Sequence, residues 1–371
     1  MQNFRSNYIL IAAALIIFFK ILTNLSLYTD SYDYALYTDR YERSQYVLNI
    51  RATNIISDDD LYSYAGYYYI TGGEVSRVNF ENPPLGKYLI GISILLFNNQ
   101  RVIYIFYTLL FLLLIYKMGL LIFKNPVIAS MGVFWAVIDP YFTRQMFYPM
   151  LDLPMAIFFI IGLYKFIIGR QSKNYLISSL FFGLSMATKF FPALVLILLF
   201  LMFYQWVFRR NQFSVFLLSL SLVPIVYSVS YFELFRRVSL VGFLEFQWWM
   251  LKWRTANPVV IGNALESIFL GRYRTWWSFA PHYNYYSSDW TPLIPFAVSI
   301  SLYSVFVFRK NSLFILTYAV MALFFIYLNI LTEGSLKYLI VIYVFLTLFT
   351  AGTIYTVLRQ MIHGNTFRRR R

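Results

Sequence analysis

Uninterrupted apolar runs occupy most of this chain, and several are as long as a membrane span. A helix needs about 20 apolar residues to cross a bilayer core about 30 Å thick. The charged fraction is 13% and the hydrophobic fraction is 60%, whereas a soluble domain carries about 25% charged residues. The sequence therefore predicts an all-α polytopic membrane protein, with residues 1–371 as a single membrane domain. The apolar runs are 8–27, 88–97, 102–123, 127–141, 153–168, 175–208, 213–232, 292–308, 312–330 and 336–358.

Two of these runs do not have the length of one span. The run 88–97 is about half as long as a span requires, and it follows Pro83 and Pro84, which cannot continue an incoming helix. We therefore assign residues 88–98 to an interfacial helix. The run 175–208 is too long for one span and is interrupted around Pro192, so we divide it into two. About ten transmembrane helices result, with both termini on the cytoplasmic side.

The distribution of Lys and Arg supports this topology, because cytoplasmic loops of membrane proteins are enriched in both. The short loops placed in the cytoplasm contain Lys124, Arg170, Lys173, Arg209, Arg210, Arg309, Lys310 and Arg359. The basic tail 359–371 is explained by anionic lipid at the cytoplasmic leaflet, so membrane lipids are expected partners and nucleic acid is not. The first external loop, residues 28–87, and a second, residues 233–291, then face the extracytoplasmic side, which is the ER lumen in a eukaryote.

The chain contains no cysteine and only two histidines. A disulfide framework, a thiol nucleophile and a cysteine-ligated metal are therefore excluded, and a histidine-rich metal site has no basis. Nine of the 16 acidic residues lie between residues 28 and 82. The chemistry of this chain is therefore expected among carboxylates and cations at the extracytoplasmic face.

Three consecutive carboxylates, Asp58, Asp59 and Asp60, stand near the middle of the first external loop. Adjacent carboxylates repel, so one of them can keep a raised pKa and act as a base. The same cluster could bind a divalent cation such as Mg²⁺ or Mn²⁺. The structural alternative is a solvated acidic turn or a helix N-cap, where Asp is favoured.

The first external loop ends on Glu81-Asn82-Pro83-Pro84 and Lys87. The two prolines hold the preceding Glu81 and Asn82 in a fixed direction. Lys87, at the start of the interfacial helix, is placed to reach a phosphate at headgroup depth. Alternatively, its side chain extends to ordinary lipid headgroups.

Two further ionisable residues stand at span ends on the same predicted face. Asp152 precedes the span 153–168, and Lys189 lies in the break at Pro192. An ionisable residue at membrane depth is costly, which marks both as functional candidates. The structural alternatives are an N-cap role for Asp152 and a Lys189 that extends to the membrane surface. If a metal binds, Asp60 and Asp152 are its candidate ligands.

The second external loop is rich in Trp, Tyr and Arg. Trp and Tyr are typical of membrane interfaces, and their rings also stack on sugars. The polar residues here and nearby that could contact a phosphate or an acceptor are Arg144, Arg254, Arg272, Arg274, His282 and Lys337.

Taken in order, these motifs resemble a known family. The motif DDDLYSYA, followed about 20 residues later by FENPPLGK, resembles the first external loop of protein O-mannosyltransferases and lipid A aminoarabinose transferases. Those proteins carry an Asp-Glu pair and then a His-Pro-Pro-Leu-Gly-Lys or a Glu-Lys-Pro-Pro element. The resemblance continues through RQMFYPMLDLPMAIFF, GLSMATKFFPALVLIL, SSDWTPLIPF and GSLKYLIVIYVFL, and covers roughly residues 55–350.

This resemblance implies a GT-C type membrane glycosyltransferase. Its donor would be a polyprenyl- or dolichyl-phosphate sugar, its acceptor a protein, lipid or glycan, and it would invert the anomeric centre. Carried over by position, Asp59 and Asp60 match the Asp-Glu pair that acts in acid/base catalysis, and Asp152 matches a second acid. Glu81, Lys87 and Lys189 match residues that bind substrate.

Three features depart from the family pattern. Asp60 replaces the expected Glu, Asn82 replaces His, and Lys337 stands where the late motif has Arg. The loop before Asp58 is also about 30 residues longer than expected, and it contains a competing pair, Asp30 and Asp33. The alternatives are a lipid-linked glycan flippase or other transporter, an inactive scaffold of the same fold, and a transferase with a lipid diphosphate donor.

Overall fold

The computed structural model describes residues 2–169, 171–256, 259–275 and 283–368, and nearly all of its regular elements are helices. This confirms the all-α prediction, to which the structure adds one short hairpin. The helices are α1 Gln2–Thr23, α2 Ser26–Thr29, α3 Tyr34–Glu42, α4 Gln45–Leu48, α5 Asp58–Ile70, α6 Leu85–Phe97, α7 Val102–Phe123, α8 Pro126–Ile138, α9 Pro140–Phe147, α10 Asp152–Ile168, α11 Ser172–Thr188, α12 Ala193–Phe208, α13 Phe213–Ser219, α14 Leu222–Ser230, α15 Leu240–Thr255, α16 Asn263–Leu270, α17 Leu293–Phe308, α18 Ser312–Leu331 and α19 Ile340–Arg368. Short 3₁₀ turns are Asn49–Arg51, Arg210–Gln212, Leu234–Arg236 and Leu336–Leu339, and the strands are β1 Arg272–Thr275 and β2 Tyr283–Tyr286.

Several helices have the length and composition of membrane spans. Among the described residues, five qualify outright, and α8 with α9, bent by 68° at their junction, would form a sixth. Helices α6, α12 and α17 are apolar but shorter. The total of about ten spans, and the assignment of 88–98 to the interface, therefore stay predictions. The five helical segments are Arg5–Thr23, Val102–Phe123, Arg210–Ser230, Ser312–Leu331 and Leu336–Ile362.

The chain forms two compact units. The first comprises residues up to 23, 109–144 and from 259 onward. In it α8 packs against α1 and α19, and α17 packs on α19. The hairpin is antiparallel, with Arg272 opposite Tyr286, and α16 lies beside β1.

A buried carboxylate stabilises the bend between α8 and α9 in the first unit. Asp139, at the junction, accepts hydrogen bonds from the Tyr343 hydroxyl at 2.6 Å, the Thr291 hydroxyl at 3.1 Å and the Tyr141 amide at 3.0 Å. A buried polar group is costly unless it is hydrogen-bonded. These three donors therefore offset the cost of burying the Asp139 carboxylate at the junction of α8 and α9.

The second unit comprises residues 24–108 and 145–258. Its α11 packs against α10 and α14, and α5 packs along α6. The last pair approach closely because both carry glycine at the crossing. A Cβ added to Gly91 would lie 2.4 Å from the Gly66 carbonyl oxygen. The acidic triplet starts α5 and the PPLGK sequence starts α6. The close packing of these two helices therefore fixes the two motifs relative to each other.

Candidate active site

The acidic triplet forms the first turn of α5. Ser57 occupies the N-cap position, and Asp58, Asp59 and Asp60 are the first three helical residues. Carboxylates are favoured in this turn because of the helix dipole. All three are only half-buried. The expected acidic turn is therefore present, but it is not fully solvated and its first Asp is not the cap.

The three carboxylates differ in their surroundings. Asp60 forms an ion pair with Arg40 of α3, with 2.6 Å between Arg40 Nη1 and Asp60 Oδ2. Burial raises the pKa of the Asp59 carboxyl, opposed by a hydrogen bond from Ser57. The neighbouring Asp60 charge raises the pKa of Asp59 further, and the Arg101 charge lowers it. Asp59 thus has the surroundings expected of a base that titrates above the usual aspartate range.

Glu81 and Asn82 form a buried corner before the two prolines. Glu81 is 6% exposed, and its Oε1 accepts hydrogen bonds from Asn79 Nδ2 at 2.6 Å and the Tyr46 hydroxyl at 3.1 Å. Its Oε2 is buried without a hydrogen-bond partner. Burial raises the pKa of Glu81, and the Lys87 and Arg254 charges oppose that rise.

Lys87 points into this corner and not toward lipid headgroups. Its side chain is fully buried, and Nζ donates to the backbone carbonyls of Asn79 at 2.6 Å and Asn82 at 2.7 Å. Nζ also lies 3.3 Å from the Tyr69 hydroxyl. Burial lowers the pKa of Lys87, and the Glu81 charge opposes the shift. The ammonium therefore holds the Asn79–Asn82 turn in place, a contact that no local sequence pattern indicates.

Arg254, near the end of α15, reaches the same corner from outside. Its Nε donates to the Glu81 carbonyl at 2.9 Å, and its Nη2 donates to Asn82 Oδ1 at 2.8 Å. The guanidinium carbon lies 4.4 Å from the centre of the Phe190 ring. The sequence analysis named Arg254 with the other basic residues of its loop and did not single it out. The structure places it on two of the expected substrate-binding residues.

Asp152 and Lys189 form a buried ion pair. Lys189 Nζ lies 2.7 Å from both carboxylate oxygens of Asp152, and the side chains are 7% and 0% exposed. Asp152 is the first residue of α10, but the N-cap is Leu151 and makes no side-chain cap. The suggested N-cap role of Asp152 is therefore wrong, and its partner is Lys189.

A glycine brings this pair close to the PPLGK sequence. A Cβ added to Gly86 would lie 2.7 Å from a Leu151 side-chain atom and 2.8 Å from a Thr188 side-chain atom. Leu151 and Thr188 directly precede Asp152 and Lys189. A side chain at position 86 would therefore push α6 away from Leu151 and Thr188, and so away from the Asp152–Lys189 pair.

Tyr104, near the start of α7, contacts the loop before Asp152. Its hydroxyl donates to the Met150 carbonyl at 2.7 Å. Arg101 Nε donates to the Phe147 carbonyl at 3.1 Å. Neither Tyr104 nor Arg101 stands in a motif that sequence reasoning singled out, so their roles needed the tertiary structure.

The described residues do not fit a bound divalent cation. Among them, no group of three or more His, Asp or Glu side chains is arranged to hold a metal ion. The two carboxylates suggested as ligands are each neutralised, Asp60 by Arg40 and Asp152 by Lys189. We therefore derive no step through a metal.

The remaining expected site residues belong to the first unit, and each described one contacts an acidic residue there. Arg144 pairs with Asp289 and also donates to Ser288. Arg272 and Arg274 lie 3.7 Å and 3.6 Å from Glu266 carboxylate oxygens. Lys337 lies 3.7 Å from Glu333. His282 lies outside the described residues.

One member of the competing pair at the start of the first external loop has a structural role. Asp33 is the N-cap of α3, and its Oδ1 accepts from the Leu36 amide at 3.0 Å. The backbone carbonyl of Asp30 accepts from Asn99 Nδ2 at 2.8 Å, a contact that does not involve the Asp30 carboxylate.

Comparison with known proteins bears on the fold and the family resemblance. Residues 81–231 match the family model of dolichyl-phosphate-mannose-protein mannosyltransferases. The structure resembles that of ArnT from Cupriavidus metallidurans in the apo state, with a TM-score of 0.59 and 14% identity, over 83% of this chain and 57% of that one. The chain has the fold of the GT-C glycosyltransferases. The family resemblance indicated by the motifs is thereby confirmed.

Two further GT-C structures match. One is the same ArnT bound to undecaprenyl phosphate, with a TM-score of 0.53 and 15% identity over 80% of this chain and 55% of that one. The other is the oligosaccharyltransferase AglB from Archaeoglobus fulgidus, in complex with an inhibitory peptide and a dolichol-phosphate. It has a TM-score of 0.53 and 14% identity over 99% of this chain and 52% of that one. The chain spans about half the length of these GT-C proteins. No curated protein sequence matches it significantly.

Proposed function

We propose that the chain is an inverting glycosyltransferase that moves a sugar from a polyprenyl- or dolichyl-phosphate donor to an acceptor on the extracytoplasmic face of the membrane. The observation that carries the proposal is the packing of two acidic motifs into the second unit. Helix α5, which begins with the acidic triplet, packs along α6, and Gly86 of α6 lies against Leu151 and Thr188, the neighbours of the Asp152–Lys189 pair. The fold shared with ArnT and AglB, solved with undecaprenyl phosphate and dolichol-phosphate, supports a lipid-phosphate donor.

Asp59 is the proposed general base. It accepts the proton of an acceptor hydroxyl or amine while the acceptor atom forms its bond to the anomeric carbon. The bond from that carbon to the phosphate oxygen breaks, and its electron pair stays with the lipid phosphate. A base is effective when its pKa lies near the working pH, and burial moves the pKa of Asp59 in that direction.

Arg254 is the proposed partner of the departing phosphate. A guanidinium suits phosphate because its donors match two phosphate oxygens at once. In the described part of the chain Arg254 forms no salt bridge, and its contacts at the corner are to a carbonyl and an amide oxygen. Its charge is thus available to the donor. Lys87 and Lys189, the expected phosphate-binding lysines, instead hold the corner and Asp152.

Donor turnover tests the proposal. The purified chain is incubated with radiolabelled polyprenyl-phosphate sugars and a membrane extract as the acceptor source, and released polyprenyl phosphate is measured. We expect release by the wild type and by Asp39→Asn, since Asp39 lies on the exposed side of α3 with Arg43. Asp59→Asn should lose at least about 100-fold in rate. A chelator should have no effect.

Three results would contradict the proposal. Release at the wild-type rate by both Asp59→Asn and Asp60→Asn would leave the proposed reaction without its base. Chelator-sensitive release from a lipid diphosphate sugar alone would favour the diphosphate branch of transferases. Movement of intact donor lipid across a vesicle membrane without release would favour a transporter.

A further inference from the structure

The segment between α2 and the acidic triplet packs against α5 through α3. The Gln45 side chain pairs with both backbone groups of Ile56, donating to its carbonyl at 3.2 Å and accepting from its amide at 3.0 Å. The Tyr32 and Tyr37 rings stack with 4.7 Å between centres. Helix α3 packs on α5. The segment therefore presents fixed side chains to the triplet.

Tyr37 of α3 is held in place by Gln100, which lies outside the segment. Gln100 Nε2 donates to the Tyr37 hydroxyl at 2.6 Å, and the Arg40 guanidinium carbon lies 5.7 Å from the centre of the Tyr37 ring. Tyr37 is buried. It thus fixes the position of Arg40, whose guanidinium contacts Asp60.

We propose that Arg40 is a positioning residue that decides which carboxylate of the triplet takes the acceptor's proton. By pairing with Asp60 it removes that carboxylate from proton transfer and leaves Asp59 as the base. The inference rests on the proposed function and deepens it.

The ion pair between Arg40 and Asp60 affects the pH at which the neighbouring Asp59 loses its proton. The charged and titratable groups near Asp59 include Asp58 and Asp60 on its own helix, Arg40 and Tyr37 on α3, which packs on α5, and Arg101 and Tyr104. Without Arg40, the Asp60 charge beside Asp59 is no longer balanced. A nearby like charge disfavours ionisation, so Asp59 should then bind its proton up to a higher pH.

A carbodiimide that reacts only with protonated carboxyl groups can measure this directly. The full chain in detergent is labelled at a series of pH values, and the modified carboxylates are identified by mass spectrometry. We expect the Asp59 labelling midpoint to rise by roughly half to one pH unit in Arg40→Gln. Arg40→Lys should restore the wild-type midpoint. The matched control is Arg43→Gln, which removes an equal charge from the exposed pair with Asp39 and should leave the midpoint unchanged.

Variants of Asp60 keep the inference falsifiable even if Arg40→Gln folds poorly. Asp60→Asn leaves the Arg40 charge unbalanced, so the Asp59 midpoint should fall. The double variant should return it toward the wild-type value. Equal shifts in Arg40→Gln and Arg43→Gln would overturn the inference, as would unchanged midpoints in every variant.

Donor turnover separates this inference from the proposed function. The labelling midpoints could shift as expected in a chain that releases no polyprenyl phosphate. That result would overturn the proposed function and, with it, the catalytic role of Asp59. Turnover that is lost in Asp60→Asn and kept in Asp59→Asn would overturn the assignment made by Arg40 while leaving the transferase intact.

Discussion

Replacing Lys189 with methionine would remove one partner of a buried ion pair and leave the Asp152 carboxylate without its cation. The two side chains are 7% and 0% exposed, and Nζ contacts both carboxylate oxygens at 2.7 Å. Removing one partner of such a pair costs about 3–5 kcal/mol, because a buried charge remains uncompensated. At about 2 °C per kcal/mol for a large domain, the unfolding temperature should fall by about 6–10 °C.

The double variant Asp152→Leu/Lys189→Met should recover most of this loss. Replacing a buried ion pair by apolar residues of similar volume is often neutral or stabilising. The control Arg43→Met breaks an exposed pair, with side chains 63% and 52% exposed, and should change stability by less than about 1 kcal/mol. The assay is tryptophan fluorescence on heating, since the chain has eight tryptophans and no cysteine for thiol dyes.

Two outcomes would refute this reasoning. A Lys189→Met variant as stable as Arg43→Met would show that the pair is not buried as the structure has it. A double variant that is less stable than the single one would show that Asp152 has a stabilising partner besides Lys189. The double variant should also lose donor turnover despite its recovered stability if Asp152 takes part in the proposed reaction.

Three further predictions concern other parts of the second unit. Gly91→Leu should lower the unfolding temperature by at least about 5 °C, because its Cβ would lie 2.4 Å from the Gly66 carbonyl oxygen. The control Gly72→Asn lies at a left-handed position with nothing within 4 Å of its Cβ, so it should change the unfolding temperature little. Turnover should fall as pH drops through the raised pKa of Asp59, because the protonated carboxyl is no base, and a rate measured from pH 4 to 8 should show this limb above the usual aspartate range near 4. Arg254→Gln should lower kcat/KM for the donor roughly 10–100-fold, as expected for a lost charge-assisted hydrogen bond, with partial recovery in Arg254→Lys.

The breaks between helices followed from local chemistry. Helix α5 ends at Ile70, just before the Gly72-Gly73 pair, and Gly72 has a φ of +96°. The two prolines predicted a helix boundary, and α6 begins directly after them at Leu85, three residues before the predicted start at residue 88. The break around Pro192 is present, with α11 ending at Thr188 and α12 beginning at Ala193. Gly and Pro act within a residue or two of themselves, so a sequence displays their effect directly.

Side-chain partners did not follow from sequence in the same way. Arg254 contacts residues more than 170 positions away, and Asp152 and Lys189 are joined across two helices. Such contacts depend on how the helices pack. The periodicity and spacing of residues in the sequence do not determine that packing. Lys87 was expected to reach a lipid phosphate because it stands at the start of the predicted interfacial helix. In the structure its ammonium instead donates to the carbonyls of Asn79 and Asn82, and this turn forms only in the folded chain.

The most direct test of the account is a structure of the chain with polyprenyl phosphate bound. We predict that the phosphate contacts the Arg254 guanidinium beside the Glu81–Asn82 corner, with Asp59 facing the position that the sugar would occupy. Lys87 and Lys189 should keep their contacts to the corner and to Asp152. A phosphate bound to Lys87 or Lys189 with those contacts broken would contradict the assigned roles. A phosphate that contacts none of the residues of the second unit would contradict the proposed site.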